Sequence, residues 1–323
     1  PSWHLFRAEI DLKADADSGI LEIAADSKYW LYVDGQLLVR EGALKRGPDP
    51  QSSYIDRIEL PSDLSPGKHF VAILLGHFGR EGFSHNDSGA PCIVIKGERV
   101  NVVAESWRHR SEEAYYDAGN VRPGYKEGYR LPECSIGFDA RKATIGWELP
   151  EFDDSDWEEP EVTSDVSIGP LGRLESRPIP QWWWGEAAWS LDIEPESIEG
   201  GYALYRLKLS HNMQYVPLLR LDSQPGLKIE ILSDSPSHVL RAEYITTSGE
   251  QEWESIGWLN GHEILFRIPE ATVVQALGYR ETGYDCDLSG SLESGDPALD
   301  ELWPRARRPL YVTKRDTFMD CPG

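Results

Sequence analysis

Residues 29–39 read YWLYVDGQLLV, and this run decides the fold class. Asp34-Gly35 supplies the positive φ angles that a type I′ hairpin requires, so Trp30–Val33 and Gln36–Val39 are expected to pair across it. Working outward, Phe6, Ala8, Ile10 and Leu12 alternate with polar residues, and 20–24 repeat the pattern. That is the period of a strand with one buried face. Downstream, 41–53 are rich in Gly and Pro, and 54–60 read as a strand. Ser65-Pro66-Gly67 then turns into the nearly continuous apolar run 69–76, which suits a central strand. Further strands are expected at 92–95 and 100–103, after a loop at 78–90. Short strands at this spacing, separated by turns, predict an antiparallel β-sandwich over 1–165.

The bulk composition agrees. The chain has 323 residues with 22 Pro, 29 Gly and 12 Trp, enough for two β domains with their own cores. A net charge of −23 argues against nucleic acid and anionic membranes as partners, because both are polyanions. A neutral sugar is not repelled. No apolar run reaches the roughly 20 residues of a membrane span. The first residue is Pro1 rather than Met, which suits removal of upstream residues; a periplasmic or secreted location is expected over a cytoplasmic one. Cys92, Cys134, Cys286 and Cys321 lie far apart and form no CxxC pair, so disulfides are permitted, not required, and zinc is not expected.

Charge density rises and apolar periodicity is lost over 105–127, which reads as a long excursion before strands resume near 134–140. Residues 146–162 contain GW and EFDDSDWEEPEV. Phe152 and Trp157 can pin a turn there, with Asp153, Asp154 and Asp156 left wet. Clustered acids suit calcium, but no Gly-centred loop or distal bidentate Glu completes a ligand set, and a solvated acidic turn is expected.

Pro170, Pro178 and Pro180 with Gly169 and Gly172 give 166–190 a linker composition. Within it stand Trp182, Trp183 and Trp184, of which at most two can share a face in a strand. They form either a platform for sugar rings or a plug between packed domains. Strands expected at 202–209, 215–221, 227–232, 242–246, 251–255, 264–268 and 273–277 make a second β-sandwich over 191–292.

Beyond it, Asp296 as N-cap and Pro297 at the first helical position start a helix, with Leu299, Leu302, Trp303 and Ala306 on one face. Pro304 and Pro309 each remove a helical hydrogen bond, so a short or bent helix is expected. The sequence then ends in RDTFMDCPG, 315–323, where two acids flank residues that favour burial.

Four of these stretches resemble glycoside hydrolase family 78, the α-L-rhamnosidases. LYVDG at 31–35 and PGKHFVAILLGHFG at 66–79 are similar to segments of the galactose-binding-like jelly roll that precedes the catalytic barrel in that family. The 146–157 segment resembles the family's GW..PGFDDSDW. Residues 294–323 resemble its first barrel helix and DTYMDCPQRE-type signature. The resemblance weakens over 258–280, where the family's Gly-Phe-Arg-Tyr run is replaced.

The resemblance implies two jelly-roll β domains followed, over 293–323, by the first helix of a truncated (α/α) barrel. By the same match Asp320 binds the rhamnose, and the general acid and base of an inverting hydrolysis lie after Gly323. The implied partner is a rhamnose-containing carbohydrate, with no cofactor or metal, and this chain alone is expected to be inactive. On spacing alone, Asp320 would be an ordinary loop aspartate; Arg315 and Asp316 either pair with each other or support the site. The rival readings are a non-catalytic carbohydrate-binding protein and a purely structural scaffold. No two histidines show HxxxH spacing, His77 reads as a packed strand-end residue, and His85 is unassigned. Serine-hydrolase, P-loop and Rossmann motifs are missing.

Overall fold

The computed structural model describes residues 1–13, 19–81, 85–119, 135–162, 169–234, 240–287 and 289–316. The described chain is mostly β, with a single α-helix near its end. It separates into two compact units, one made of 1–115 and 142–179, the other of 116–141 and 180–323. Composition places one boundary at 165; by contacts the chain instead alternates between the units.

The first unit contains β1 (Ser2–Leu12), β2 (Ile20–Asp26), β3 (Lys28–Val33), β4 (Gln36–Gly42), β5 (Ser52–Glu59), β6 (Gly67–His77), β7 (Cys92–Glu98), β8 (Val100–Val102) and β9 (Arg108–Ser111). One sheet runs β4-β3-β6-β1-β8, with β9 also paired to β1. The facing sheet is β5-β2-β7 with a further strand beyond β5. Phe6, Ala8, Ile10, Leu21, Ile23, Val71, Ile73 and Leu75, spaced by two on their strands, meet in one core, so the two sheets form a sandwich. The hairpin forms where expected, with Val33 opposite Gln36 and φ of 48° at Asp34 and 80° at Gly35. Asp34 also accepts the Phe70 amide at 2.8 Å and faces His69 Nδ1 at 2.6 Å, which ties the turn to β6.

Two buried polar groups place the irregular segments of this unit. Arg7, on β1, is wholly buried; its guanidinium donates to Asp154 at 2.8 Å and to the carbonyls of Trp147, Leu149 (2.9 Å) and Phe152 (3.3 Å). Arg7 thus holds the EFDDSDW turn through Asp154, and the other two aspartates of the turn have separate partners. Asp153 accepts the Ser155 amide, and Asp156 lies near Arg110. Asp56, also fully buried, accepts from Tyr29 and the Ala43 amide, both at 2.8 Å, and from Arg177 at 3.1 Å. Arg177 follows a strand at Arg173–Ser176 that pairs in parallel with β5, so part of the expected linker belongs to this sandwich. The 105–127 excursion is also partly regular: β9 pairs with β1, and His109 bridges to Glu158.

After β9 come β10 (Tyr115–Asp117) and β11 (Ile136–Asp139), and Arg173–Ser176 is β12. The second unit continues with β13 (Trp182–Leu191), β14 (Ser197–Glu199), β15 (Tyr202–Ser223), β16 (Lys228–Ser233), β17 (Arg241–Ile245), β18 (Gly249–Glu254), β19 (Leu259–Pro269) and β20 (Val273–Tyr284). Its sheet runs β10-β11-β17-β16-β19-β15-β20-β13, with β14 and β18 added along β15. The 22-residue β15 pairs with β14, β18, β19 and β20 at different points along its length, so the sheet curls around one core that includes Tyr215, Leu219, Ile231, Trp258 and Phe266. Two expected strands, 202–209 and 215–221, are therefore one, with a bulge between Lys208 and Met213. Trp182–Leu191, expected within a linker, is the edge strand paired with β20.

The helix α1 (Pro297–Val312) begins as expected, with the Asp296 side chain accepting the Ala298 amide at 2.9 Å. It differs from expectation in running sixteen residues through both Pro304 and Pro309. Its C-terminal turn is held by the Thr313 amide donating to Pro309. Only Val312 is buried, whereas Leu299, Leu302, Trp303 and Leu310 are between 40% and 57% exposed. A stripe of this kind is normally the face a helix buries. No described helix is long and apolar enough to cross a membrane.

Candidate functional site

Two constellations, one in each unit, bring chemistry together. The second unit's lies where α1 ends. Gln214, in β15 and 2% exposed, donates Nε2 to the carbonyls of Val312 (2.6 Å) and Lys314 (3.3 Å). Its Oε1 accepts from Arg315 at 2.8 Å. The amide orientation is fixed, since the nitrogen faces carbonyls and the oxygen faces a cation. Arg315 is 3% exposed, with its guanidinium carbon 4.7 Å from the Trp182 ring, 4.8 Å from Trp258 and 6.0 Å from Trp184. These distances suit cation–π attraction, which is strongest in a desolvated setting. Beside it Lys314 Nζ lies 3.5 Å from the Tyr284 ring centroid.

Alternation along β13 explains the cage. Trp182 pairs with Tyr284 and Trp184 with Thr282, so both indoles point to one face and Trp183 to the other. Trp182 is buried, Trp184 half-buried, and Trp183 41% exposed. Two of the three tryptophans proposed as a sugar platform therefore enclose a guanidinium. Asp320, the expected sugar-binding residue, lies outside the described residues, as do Cys134 and Cys321. Cys92 and Cys286 are free thiols.

The first unit carries a small, open, polar cleft of about 70 Å³. Its walls include Asp26, Lys45, Gln51, Ser52, Asn86 and Asp87, with Leu171 as an apolar contribution. The cleft holds together because Asn86 donates its amide to the Lys45 carbonyl and Asp26 accepts from Ser88 at 2.7 Å and from Ser27 at 2.7 Å. At one side, His77 Nε2 lies 3.3 Å from Asp87 and 3.7 Å from Asp26. One ligand atom from each of these three residues falls within 4.8 Å of the others, a geometry able to hold a divalent cation. Burial raises the nearby Cys92 thiol above its ordinary range and keeps it protonated. Sequence spacing does not disclose this group, because its members come from the end of β2, the end of β6 and a loop.

The sequence matches no family model, and no curated protein matches it. Solved structures do match. The GH78 family rhamnosidase of Bacillus sp. GL1 aligns with a TM-score of 0.74 at 14% identity, covering 100% of this chain and 57% of that one. The α-L-rhamnosidase of Streptomyces avermitilis, solved with L-rhamnose, gives 0.68 at 17% identity over 100% of this chain and 32% of its own. The native enzyme from Aspergillus terreus gives 0.64 at 15% identity, covering 98% and 39%. The chain spans between a third and somewhat over half the length of these enzymes. By fold, this chain is the counterpart of a part of the α-L-rhamnosidases, a GH78 family rhamnosidase among them.

Proposed function

We propose that this chain is the N-terminal portion of an inverting family 78 α-L-rhamnosidase, which releases terminal α-L-rhamnose from oligosaccharides or glycosides. The observation that carries the reading is α1. It follows two β units whose fold matches rhamnosidases along the whole chain, and it leaves Leu299, Leu302, Trp303 and Leu310 open on one side. Further helices of an (α/α) barrel are the natural cover for such a stripe.

Inverting hydrolysis needs one carboxyl group to protonate the leaving oxygen and a second to activate water, roughly 6.5–9.5 Å apart. In this reading both come after Gly323, and Asp320 contributes sugar binding. The test is to express the 323-residue chain and a version extended by the codons that follow, and to assay both on an aryl α-L-rhamnoside. The extended protein turns over and releases the inverted anomer first, as seen by proton NMR, while the shorter chain is inactive. Enzyme-level turnover by the shorter chain overturns the reading.

The cleft of the first unit favours a second reading, a non-catalytic carbohydrate-binding protein. Its hydroxyl, amide and carboxylate groups suit a polyol rather than an apolar ligand. Titration with a rhamnose-containing oligosaccharide, followed by calorimetry, gives saturable heat that Asn86→Ala removes. An unsaturable trace counts against it.

A further inference from the structure

We infer that Asp26, His77 and Asp87 form a site for a divalent cation of the zinc type, which ties the two sheets of the first unit to the loop before β7. All three residues belong to that unit, and the inference stands independently of the rhamnosidase reading. Neither a CxxC pair nor an HxxxH spacing announces the site, because its members come from three separate places in the chain.

The fold brings the three side chains together. Asp26 ends β2 and His77 ends β6, strands that lie in opposite sheets of the sandwich. Ser27 closes the gap between them: its amide donates to the Gly76 carbonyl at 3.0 Å, and its hydroxyl oxygen accepts the Phe78 amide at 3.1 Å. Asp87 stands on the loop before β7, where Ser88 beside it donates its amide to Asp26 Oδ2 at 2.7 Å. Gly89 donates its amide to Asp87 Oδ1 at 2.8 Å. Backbone amides therefore aim both carboxylates, and each of these two oxygens keeps a further lone pair for an ion.

The distances are those of ligands that share an ion rather than of hydrogen-bonded partners. His77 Nε2 lies 3.3 Å from Asp87 Oδ1 and 3.7 Å from Asp26 Oδ2. A charge-assisted N–H···O bond closes to about 2.7–2.9 Å. In the same unit His69 reaches Asp34 at 2.6 Å, so the shorter contact forms where a proton is what holds the pair. Atoms about 2.0–2.2 Å from a tetrahedral ion stand roughly 3.3–3.6 Å from one another. Charge points the same way. Asp26 is 5% exposed, and among the described residues His77 is the one cationic partner that it or Asp87 has. A single imidazolium leaves these carboxylates with a net negative charge in a largely buried place, which is costly; a divalent ion bound by neutral imidazole balances them. The imidazole disfavours calcium and magnesium, which take oxygen ligands. Asp26 and Asp87 also line the polar cleft, which gives the ion a way in.

The experiment takes the 323-residue chain, treated with chelator and dialysed, and titrates it with Zn²⁺ alone by calorimetry. The expected result is saturable binding that His77→Gln and Asp87→Asn each weaken by at least about tenfold, since loss of a mere outer partner of a metal ligand already costs that much. Zn²⁺ at about a hundredfold excess over Kd should raise the Tm of the first unit by about 5 °C or more, and both variants should lose that rise. Ca²⁺ should bind at least about tenfold more weakly than Zn²⁺. Should the variants fail to fold, the wild-type chain decides: in long-range proton–nitrogen NMR the His77 Nε2 resonance moves on zinc addition in step with the calorimetric isotherm. Four results overturn the inference. They are no saturable binding, affinity kept to within about tenfold by either folded variant, a His77 resonance that stays fixed while zinc binds other histidines, and Ca²⁺ bound within about tenfold of Zn²⁺. None of them touches the rhamnosidase reading, which is assayed on the extended protein.

Discussion

The first unit's stability should decline as pH rises past neutrality, and His69 is the reason. Its Nδ1 lies 2.6 Å from the Asp34 carboxylate and its Nε2 2.7 Å from the Ser65 carbonyl, so both ring nitrogens face acceptors and the cation satisfies both. Burial works against the charge, but the Asp34 hydrogen bond, the Ser65 carbonyl and the charges of Asp34 and Asp11 outweigh it and raise the pKa above 6.5. The stabilisation is complete below the unfolded value of 6.5 and is lost as pH climbs through the folded value. A hydrogen bond to a charged group contributes about 1.5–3 kcal/mol, and the half-exposed Asp34 places this one toward the lower end. For a unit of this size, about 2 kcal/mol corresponds to a fall of roughly 4–8 °C in Tm. Asp34→Asn keeps a residue that tolerates the positive φ while removing the charge, and should flatten the pH dependence. Long-range proton–nitrogen NMR of the imidazole reads the pKa directly, and thermal unfolding between pH 6 and 9 reads the consequence. A His69 pKa at or below 6.5, or an unchanged slope in Asp34→Asn, refutes the reasoning.

His4 acts in the opposite direction: burial first, then the proximity of His109 and His77, push it down to about 4, so the neutral pair stabilises above pH 6.5 and the contribution drains away as pH falls toward 4. His4→Gln should shallow that acid limb in denaturant titrations. Arg7→Met removes the donor to Asp154 and three carbonyls and should cost about 3–5 kcal/mol, with hydrogen exchange accelerating first in 146–158. Gly47→Ala drives a methyl into the Ser52 carbonyl at the cleft wall and should destabilise the first unit by roughly 1–3 kcal/mol, measured by urea midpoint.

What the sequence disclosed followed from chemistry that acts over short separations. Asp34-Gly35 announces its turn because few residues accept positive φ, and the Asp296-Pro297 start is legible because capping is local. The alternation in β1 and β2 located one face of the first core. Long-range consequences were hidden. The expected strands stop at 209 and resume at 215, yet β15 runs through the gap because β19 pairs with it on both sides. The prolines and glycines of 166–181 look like a linker, and nothing local reveals that Arg177 neutralises the buried Asp56. The Arg315 cage unites positions 182, 184, 214, 258, 282 and 315, and the cleft gathers separate loops; neither has a spacing that periodicity can detect. Only the restriction of Trp182–Trp184 to two faces was derivable, and it holds.

The alternation of the chain between its two units has a practical corollary for anyone cutting the gene. A domain excised as 1–115 would lack β12, the Arg177 counter-charge to Asp56, and the turn that Arg7 clasps, leaving two buried ions stranded. During synthesis the same arithmetic means that the amino-terminal sandwich stays unfinished until residue 179 has emerged, by which time the opening portion of its neighbour has already been made.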